Sequence, residues 1–111
     1  MALRIKRDAD NKWWFGNDWN DWLTDIVTKT GGVADITASA WSFDDVTIVE
    51  EAETTATDDA GITYLVASGG TNGTSFNMTN TITYTVISAN GLLNATDVTQ
   101  SRTISVVLEE Q

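Results

Sequence analysis

Carboxylates and indoles are the side chains here with the most chemical potential. The 111-residue chain holds 16 Asp and Glu, nine of which cluster as Asp8 and Asp10, then Asp18, Asp21 and Asp25, then Asp44 and Asp45, then Asp58 and Asp59. Such groups can bind calcium, but none has the EF-hand spacing with its glycine and closing glutamate, so turn formation and solubility are the expected roles. A carboxylate pair can also cleave a glycosidic bond. No residue here stands out as a raised-pKa acid, and no enzymatic activity is expected. The chain has no Cys and no His. That excludes thiolate zinc sites, cysteine nucleophiles, disulfides and histidine-based triads. Gly69 to Thr74 is glycine-rich but has no Lys and leads into a strand, so it reads as a turn and not a phosphate cradle. Three Asn-x-Thr sequons, at Asn72, Asn77 and Asn94, read as coincidences of an Asn- and Thr-rich chain. No cofactor and no metal are expected.

The tryptophans form the strongest compositional signal. Four of the five lie between Trp13 and Trp22, in Trp13-Trp14-Phe15-Gly16-Asn17-Asp18-Trp19-Asn20-Asp21-Trp22. Three uses fit this mixture of rings, amides and carboxylates. Trp19 and Trp22 can plug one end of a core, exposed rings can anchor a protein interface, and a ring beside amides can stack on a sugar. Trp13 and Trp14 are adjacent, so in a strand at least one of them faces away from the core and is the better interface candidate.

Charge is placed unevenly. The net charge is −10, yet Arg4, Lys6, Arg7 and Lys12 hold four of the six basic residues. A basic arm on an acidic body can dock on a neighbouring copy and favour head-to-tail assembly. The plainer alternative is a first strand with Leu3 and Ile5 inward and Arg4 and Lys6 in water. The overall acidity disfavours nucleic acid and anionic membranes as partners. No apolar run approaches the roughly 20 residues of a membrane span, and Met1 to Arg7 is followed by no apolar signal region. A soluble protein made in a reducing compartment is expected.

The elements that position these groups read as strands. From Phe76 to Val86 the even positions are apolar except Asn80, and the odd ones are mostly threonine. That is a strand with one buried and one wet face. The same logic places Ile104, Val106 and Leu108 inward, and Ile62, Tyr64 and Val66 inward. Val46 to Val49 is a shorter candidate, and Thr55 to Thr57 leads into a hairpin turned at Asp58 to Gly61. Asn90-Gly91 marks a short loop. Asp21 to Thr30 has Trp22, Leu23 and Ile26 at helical spacing and ends at Gly31-Gly32. Between Ile36 and Phe43 the apolar parity changes, which predicts a bulge. At this length one domain is expected, with a folded surface of roughly 6,000 Å². The expected fold is an all-β antiparallel sandwich over 18–111, preceded by a basic and aromatic arm over 1–17.

Asp18-Trp19-Asn20-Asp21-Trp22-Leu23 resembles the Asp-Trp-x-x-Trp-Leu box of the phage fibre-tail adaptor family, small virion proteins. Ile36 to Trp41 resembles its next block. Ser68 to Phe76, continuing through Thr79-Asn80-Thr81-Ile82-Thr83, is similar to its Gly-Gly-Thr-x-Gly-Thr loop and following strand. Ser101 to Val106 resembles its closing strand. The similarity runs from Asp18 to Leu108. Residues Ala89 to Gln100 look longer than the family's tight turn, and Leu92-Leu93 within them reads as an exposed apolar tip.

The resemblance implies an immunoglobulin-like sandwich in the tail or head–tail region of a phage particle, assembled in the bacterial cytoplasm. It would attach fibres, with tail, neck or fibre proteins and copies of itself in a symmetric ring as partners. The candidate contact residues are Trp13, Trp14, Phe15, Trp19 and Trp22, the tip Leu92 and Leu93, and the basic Arg4, Lys6 and Arg7. A host-glycan-binding module and a capsid or neck decoration protein are the alternatives.

Overall fold

Among the described residues, alternating side chains along seven strands divide inner from outer faces, and the inner faces close on one another as a sandwich. The computed structural model describes residues 3–53 and 61–110. The strands are β1 (Leu3–Arg7), β2 (Trp13–Asp18), β3 (Val33–Phe43), β4 (Ile48–Glu53), β5 (Ile62–Gly69), β6 (Ser75–Ile87) and β7 (Asn94–Leu108), with the helix α1 (Asn20–Thr30) between β2 and β3. One sheet has the order β1-β7-β6-β3 and the other β2-β5-β4. The body is elongated, 52 by 23 by 22 Å, with an accessible surface of 6422 Å². No described helix is long and apolar enough to cross a membrane.

β6 and β7 form the spine. Phe76, Met78, Ile82, Ile104, Val106 and Leu108 are buried, as their alternation requires. On the outer face the threonine row pairs across the strands: Thr79 meets Thr103 at 3.2 Å and Thr81 meets Ser101 at 2.8 Å through their hydroxyls. The bulge expected in β3 lies between Ile36 and Ala38 and moves the inward set to Ser39 and Trp41. α1 presents Trp22, Leu23, Ile26 and Thr30, all half-buried, along one stripe. Its end is set by Gly31 at φ 67°, whose N–H donates to the Val27 carbonyl.

Several expectations are corrected. Of the arm expected over 1–17, the described residues 3–17 are not set apart, because β1 and β2 are strands of the two sheets and Trp13 and Phe15 belong to the core. The sandwich is not wholly antiparallel, since β1 runs parallel to β7 from Leu3 beside Ile104 to Arg7 beside Leu108. Leu3, expected inward, is half exposed at this sheet edge. β5 turns Thr63, Leu65 and Ala67 inward, and Ile62, Tyr64 and Val66 lie outward. Both sets are largely apolar, so type alone did not decide the face; the outward set is shielded by ring contacts such as Trp14 with Tyr64. β4 starts at Ile48, and Val46 sits in the preceding turn, where Asp45 holds Thr47. The β6–β7 connection is short, because the β7 ladder already begins at Asn94. Of the hairpin expected from Thr55 to Thr57 with its turn at Asp58 to Gly61, all but Gly61 lies outside the described residues.

Candidate interaction surfaces

Trp14 is the indole that the structure leaves to solvent. β2 alternates strictly, so Trp13, Phe15 and Asn17 enter the core, at 6%, 7% and 2% exposure, while Trp14 stands 65% exposed. Trp19 is 1% exposed. Trp13, Phe15 and Trp19 therefore have no surface to offer a partner, which corrects their expected place among the contact residues. Trp22 is half-buried, edge-on to Tyr84 at 4.7 Å and to Trp19 at 5.4 Å, and fixes α1 to the sheet.

Around Trp14 the turn from β1 to β2 makes a cleft of about 400 Å³, lined by Lys6, Arg7, Asp8, Asn11, Lys12 and the two adjacent tryptophans. Lys6 and Arg4 are exposed. Lys6 reaches Glu109 at 3.9 Å and Lys12 reaches Glu51 at 3.8 Å, long and solvent-washed pairs of little strength. Arg7 is held differently. Its Nε and Nη2 donate to the Trp14 carbonyl at 3.3 and 3.1 Å, and its guanidinium lies 5.7 Å from the Trp13 ring centre. Burial lowers its pKa from the usual arginine value. The Gly69–Thr74 turn has a role here that sequence reasoning missed. Asn72 accepts a bond from the Ala9 N–H at 2.9 Å and donates to Asp8 at 3.1 Å, so it braces one of the residues that line the cleft.

The apolar tip is at the other end. Leu92 and Leu93 are 88% and 46% exposed in the β6–β7 turn, beside Val33 and Ile87, which pair across β3 and β6 and are themselves exposed. Asn90 builds this turn by accepting bonds from the Leu92 N–H and the Ser88 hydroxyl, with Gly91 at φ 72°. The thirteen-residue β6 separates tip from cleft by about 40 Å.

Between the two ends lies a buried polar cluster that residue types hinted at only through Asn80, the break in the inward row of β6. Asn80 Oδ1 accepts from Asn17 at 2.9 Å, Thr63 at 2.7 Å and the Trp19 indole at 3.0 Å, and its amide donates to Ser39 and the Ala40 carbonyl. Arg102 closes the cluster from β7. It donates to Asn17 Oδ1 at 2.8 Å and the Asp18 carbonyl at 2.7 Å, with its guanidinium 4.2 Å from the Trp19 ring centre. Every donor here has a geometric reason to be where it is, and none faces an open pocket. This is a structural clamp. Among the described residues no three His, Cys, Asp or Glu converge as a metal site. Comparison of the chain with family models, characterised proteins and solved structures finds no match.

Proposed function

We propose that this chain is a structural component of a tailed-phage particle, an adaptor that joins fibres to the tail or neck through protein–protein contacts. The observation that carries the reading is the separation of two unlike adhesive surfaces, Trp14 with its cations at one end and the Leu92-Leu93 tip at the other. A body about 50 Å long with a distinct surface at each end suits a part that touches two partners at once. The fully satisfied clamp around Asn80 favours a rigid part over a moving one. An immunoglobulin-like arrangement belongs to the same reading. β3, β6 and β7 share a sheet as strands C, F and G do in that fold, and β2, β5 and β4 share the other as B, E and D do, with the first strand moved across. Asn17 and Asn80 stand where that fold places its inter-sheet disulfide, and Trp41 where it places the packed tryptophan. In this reading the protein works in the virion, with other tail, neck or fibre proteins as partners.

Cryo-electron microscopy of the particle tests it. The expected result is density for this domain between two other virion proteins, with the tip and the cleft in contact. Density that is absent, or that touches no other protein, overturns the reading. The exposed Trp14 beside Asn11 also suits a sugar face, which favours a glycan-binding module as a second reading. Titration with host polysaccharide while Trp emission is followed separates them; an unchanged spectrum at saturating sugar removes the second.

A further inference from the structure

Among the described residues the two sheets end in four strand edges, and three of these are guarded against a further strand. β1 is five residues long and carries Arg4, Lys6 and Arg7. On β2 the Trp14 and Asp18 carbonyls are already taken by Arg7 and Arg102. β4 has a bulge between Glu50 and Ala52, which sets Glu50 opposite Ala67 and Glu53 opposite Leu65, on the face turned toward the other sheet. Inward charges of this kind oppose edge pairing. β3 has no such guard along residues 38–43. Its bulge lies earlier, between Ile36 and Ala38, and from Ala38 to Phe43 the strand keeps regular register with β6. That run holds no charged residue and no proline, and its outward side chains, Ala38, Ala40 and Ser42, are small and exposed. Among the described residues its backbone bonds only to β6, the Ala40 carbonyl through the Asn80 side chain. Alternate residues of an edge strand turn N–H and C=O away from the sheet, so this edge presents a ready ladder.

The surroundings define what the ladder accepts. Residues 33–53, which build β3 and β4, include Asp35, Asp44, Asp45, Glu50, Glu51 and Glu53 and neither Lys nor Arg. Several of these carboxylates are engaged: Asp44 by the Asn77 N–H, Asp45 by Thr47, and Glu51 by Ser68 and Lys12. Glu50 and Glu53 are different. Both are largely exposed, and among the described residues neither has a cation in ion-pair range. Partial burial, a hydrogen bond with Glu53 and that residue's charge raise Glu50 to about 7.

We infer that the β3 edge receives an extended segment of a partner protein as an added strand, one whose alternate side chains are basic. Backbone bonds to residues 38–43 supply the affinity, and side chains of alternate sign supply the choice of partner. Lysines or arginines on the row facing the interior reach Glu50 and Glu53 on β4, which β3 touches across the sandwich. The small outward residues of β3 leave room for the partner's other row beside the threonines of β6. Within this chain the segment with alternate basic residues is β1, through Arg4 and Lys6, and it is already laid against β7. The occupant therefore comes from another protein. This surface is distinct from the Trp14 cleft and the Leu92-Leu93 tip, and the inference goes beyond the adaptor reading without depending on it.

Titration of the isotope-labelled full chain with a synthetic peptide of alternating Lys and Thr, about as long as β3, tests this. The amides of residues 38–43 should shift and exchange more slowly with solvent as peptide is added, and added salt should weaken binding. A Glu-Thr counterpart, and the Lys-Thr peptide N-methylated throughout, should each bind at least tenfold more weakly. Ala38→Lys/Ala40→Lys places charge on the exposed edge and should weaken binding at least tenfold with circular dichroism unchanged. If that variant unfolds, Glu50→Gln/Glu53→Gln replaces it and should weaken binding by a similar factor. Unshifted 38–43 amides at millimolar peptide, or shifts confined to the Trp14 cleft, overturn the inference. An N-methylated peptide that binds as tightly also overturns it, because the contact is then charge attraction without an added strand. So does a native chain that sediments as a dimer with its β3 amides protected, which assigns the edge to a second copy.

Discussion

Asn17 on β2 donates its side-chain amide to Asn80 on β6 at 2.9 Å, joining the two sheets through the middle of an apolar core. Both residues are at most 2% exposed. A hydrogen bond between neutral amides is worth about 1 kcal/mol net, but an orphaned buried amide costs about 1–3 kcal/mol. The pair therefore matters most through what its loss leaves behind, and it penalises any packing of the sheets that separates the two side chains.

Asn80→Ala should destabilise the fold by about 3 kcal/mol or more, because Asn17, Thr63 and the Trp19 indole all lose their shared acceptor. Asn17→Ala should cost less than Asn80→Ala, since fewer partners lose their only bond. Urea unfolding of the two single variants and the double variant checks this. The double variant should lose clearly less than the two single losses added together.

Arg102→Lys should not rescue Arg102→Ala. The guanidinium bonds two oxygens from one nitrogen while stacking near the Trp19 ring, and an ammonium cannot match that planar geometry. Arg102→Ala should cost about 2 kcal/mol by thermal unfolding. Arg102→Lys should recover less than half of it.

The neighbours Trp13 and Trp14 should behave oppositely. Trp13→Ala opens a cavity beside Phe76 and should cost about 3–5 kcal/mol. Trp14→Ala should change stability by less than about 1 kcal/mol, given its exposure. Calorimetry reads the first contrast. Iodide quenching reads the second, and Trp14→Phe should remove most of the quenchable emission.

Glu50 sets a pH dependence whose sign follows from its raised pKa of about 7. The folded state holds this proton more tightly than the unfolded chain, whose glutamates titrate near about 4.3. Stability on this account is highest below that unfolded value and falls as pH rises toward about 7. Glu50→Gln should flatten the slope in this window and leave the variant at least as stable as the native chain at pH 8 (a value on the order of one unit above the shifted pKa). Melting temperatures across the window check it. A Glu50→Gln slope as steep as the native one contradicts the assignment.

Gly32→Ala should be among the most damaging single-methyl additions. A Cβ at Gly32 overlaps the carbonyl oxygen of Ile87, which is backbone and cannot swing aside. The loss should exceed about 2 kcal/mol and be readable by urea unfolding.

Local sequence determined the parts of this protein whose cause is local. The alternation from Phe76 to Val86 and from Ile104 to Leu108 produced β6 and β7 with their buried faces, because a period of two admits one sorting when one row is apolar and the other is threonine. The spacing of Trp22, Leu23 and Ile26 before Gly31 produced α1, and the parity change after Ile36 produced the bulge in β3. The pairing of Trp13 with Trp14 already required that one of them face outward. Tertiary structure decided everything that depends on residues far apart in the chain. β5 has apolar side chains on both faces, so only the sheet opposite it selected Thr63, Leu65 and Ala67 as the inner row. The parallel docking of β1 on β7 and the capping of Trp14 by Arg7 leave no local pattern, and the gathering of Asn17, Thr63, Asn80 and Arg102 leaves one only at Asn80, the polar break in β6's inward row. Asn17 and Arg102 are 85 positions apart, and it is the closing of two sheets, driven by the burial of their apolar faces, that makes them neighbours.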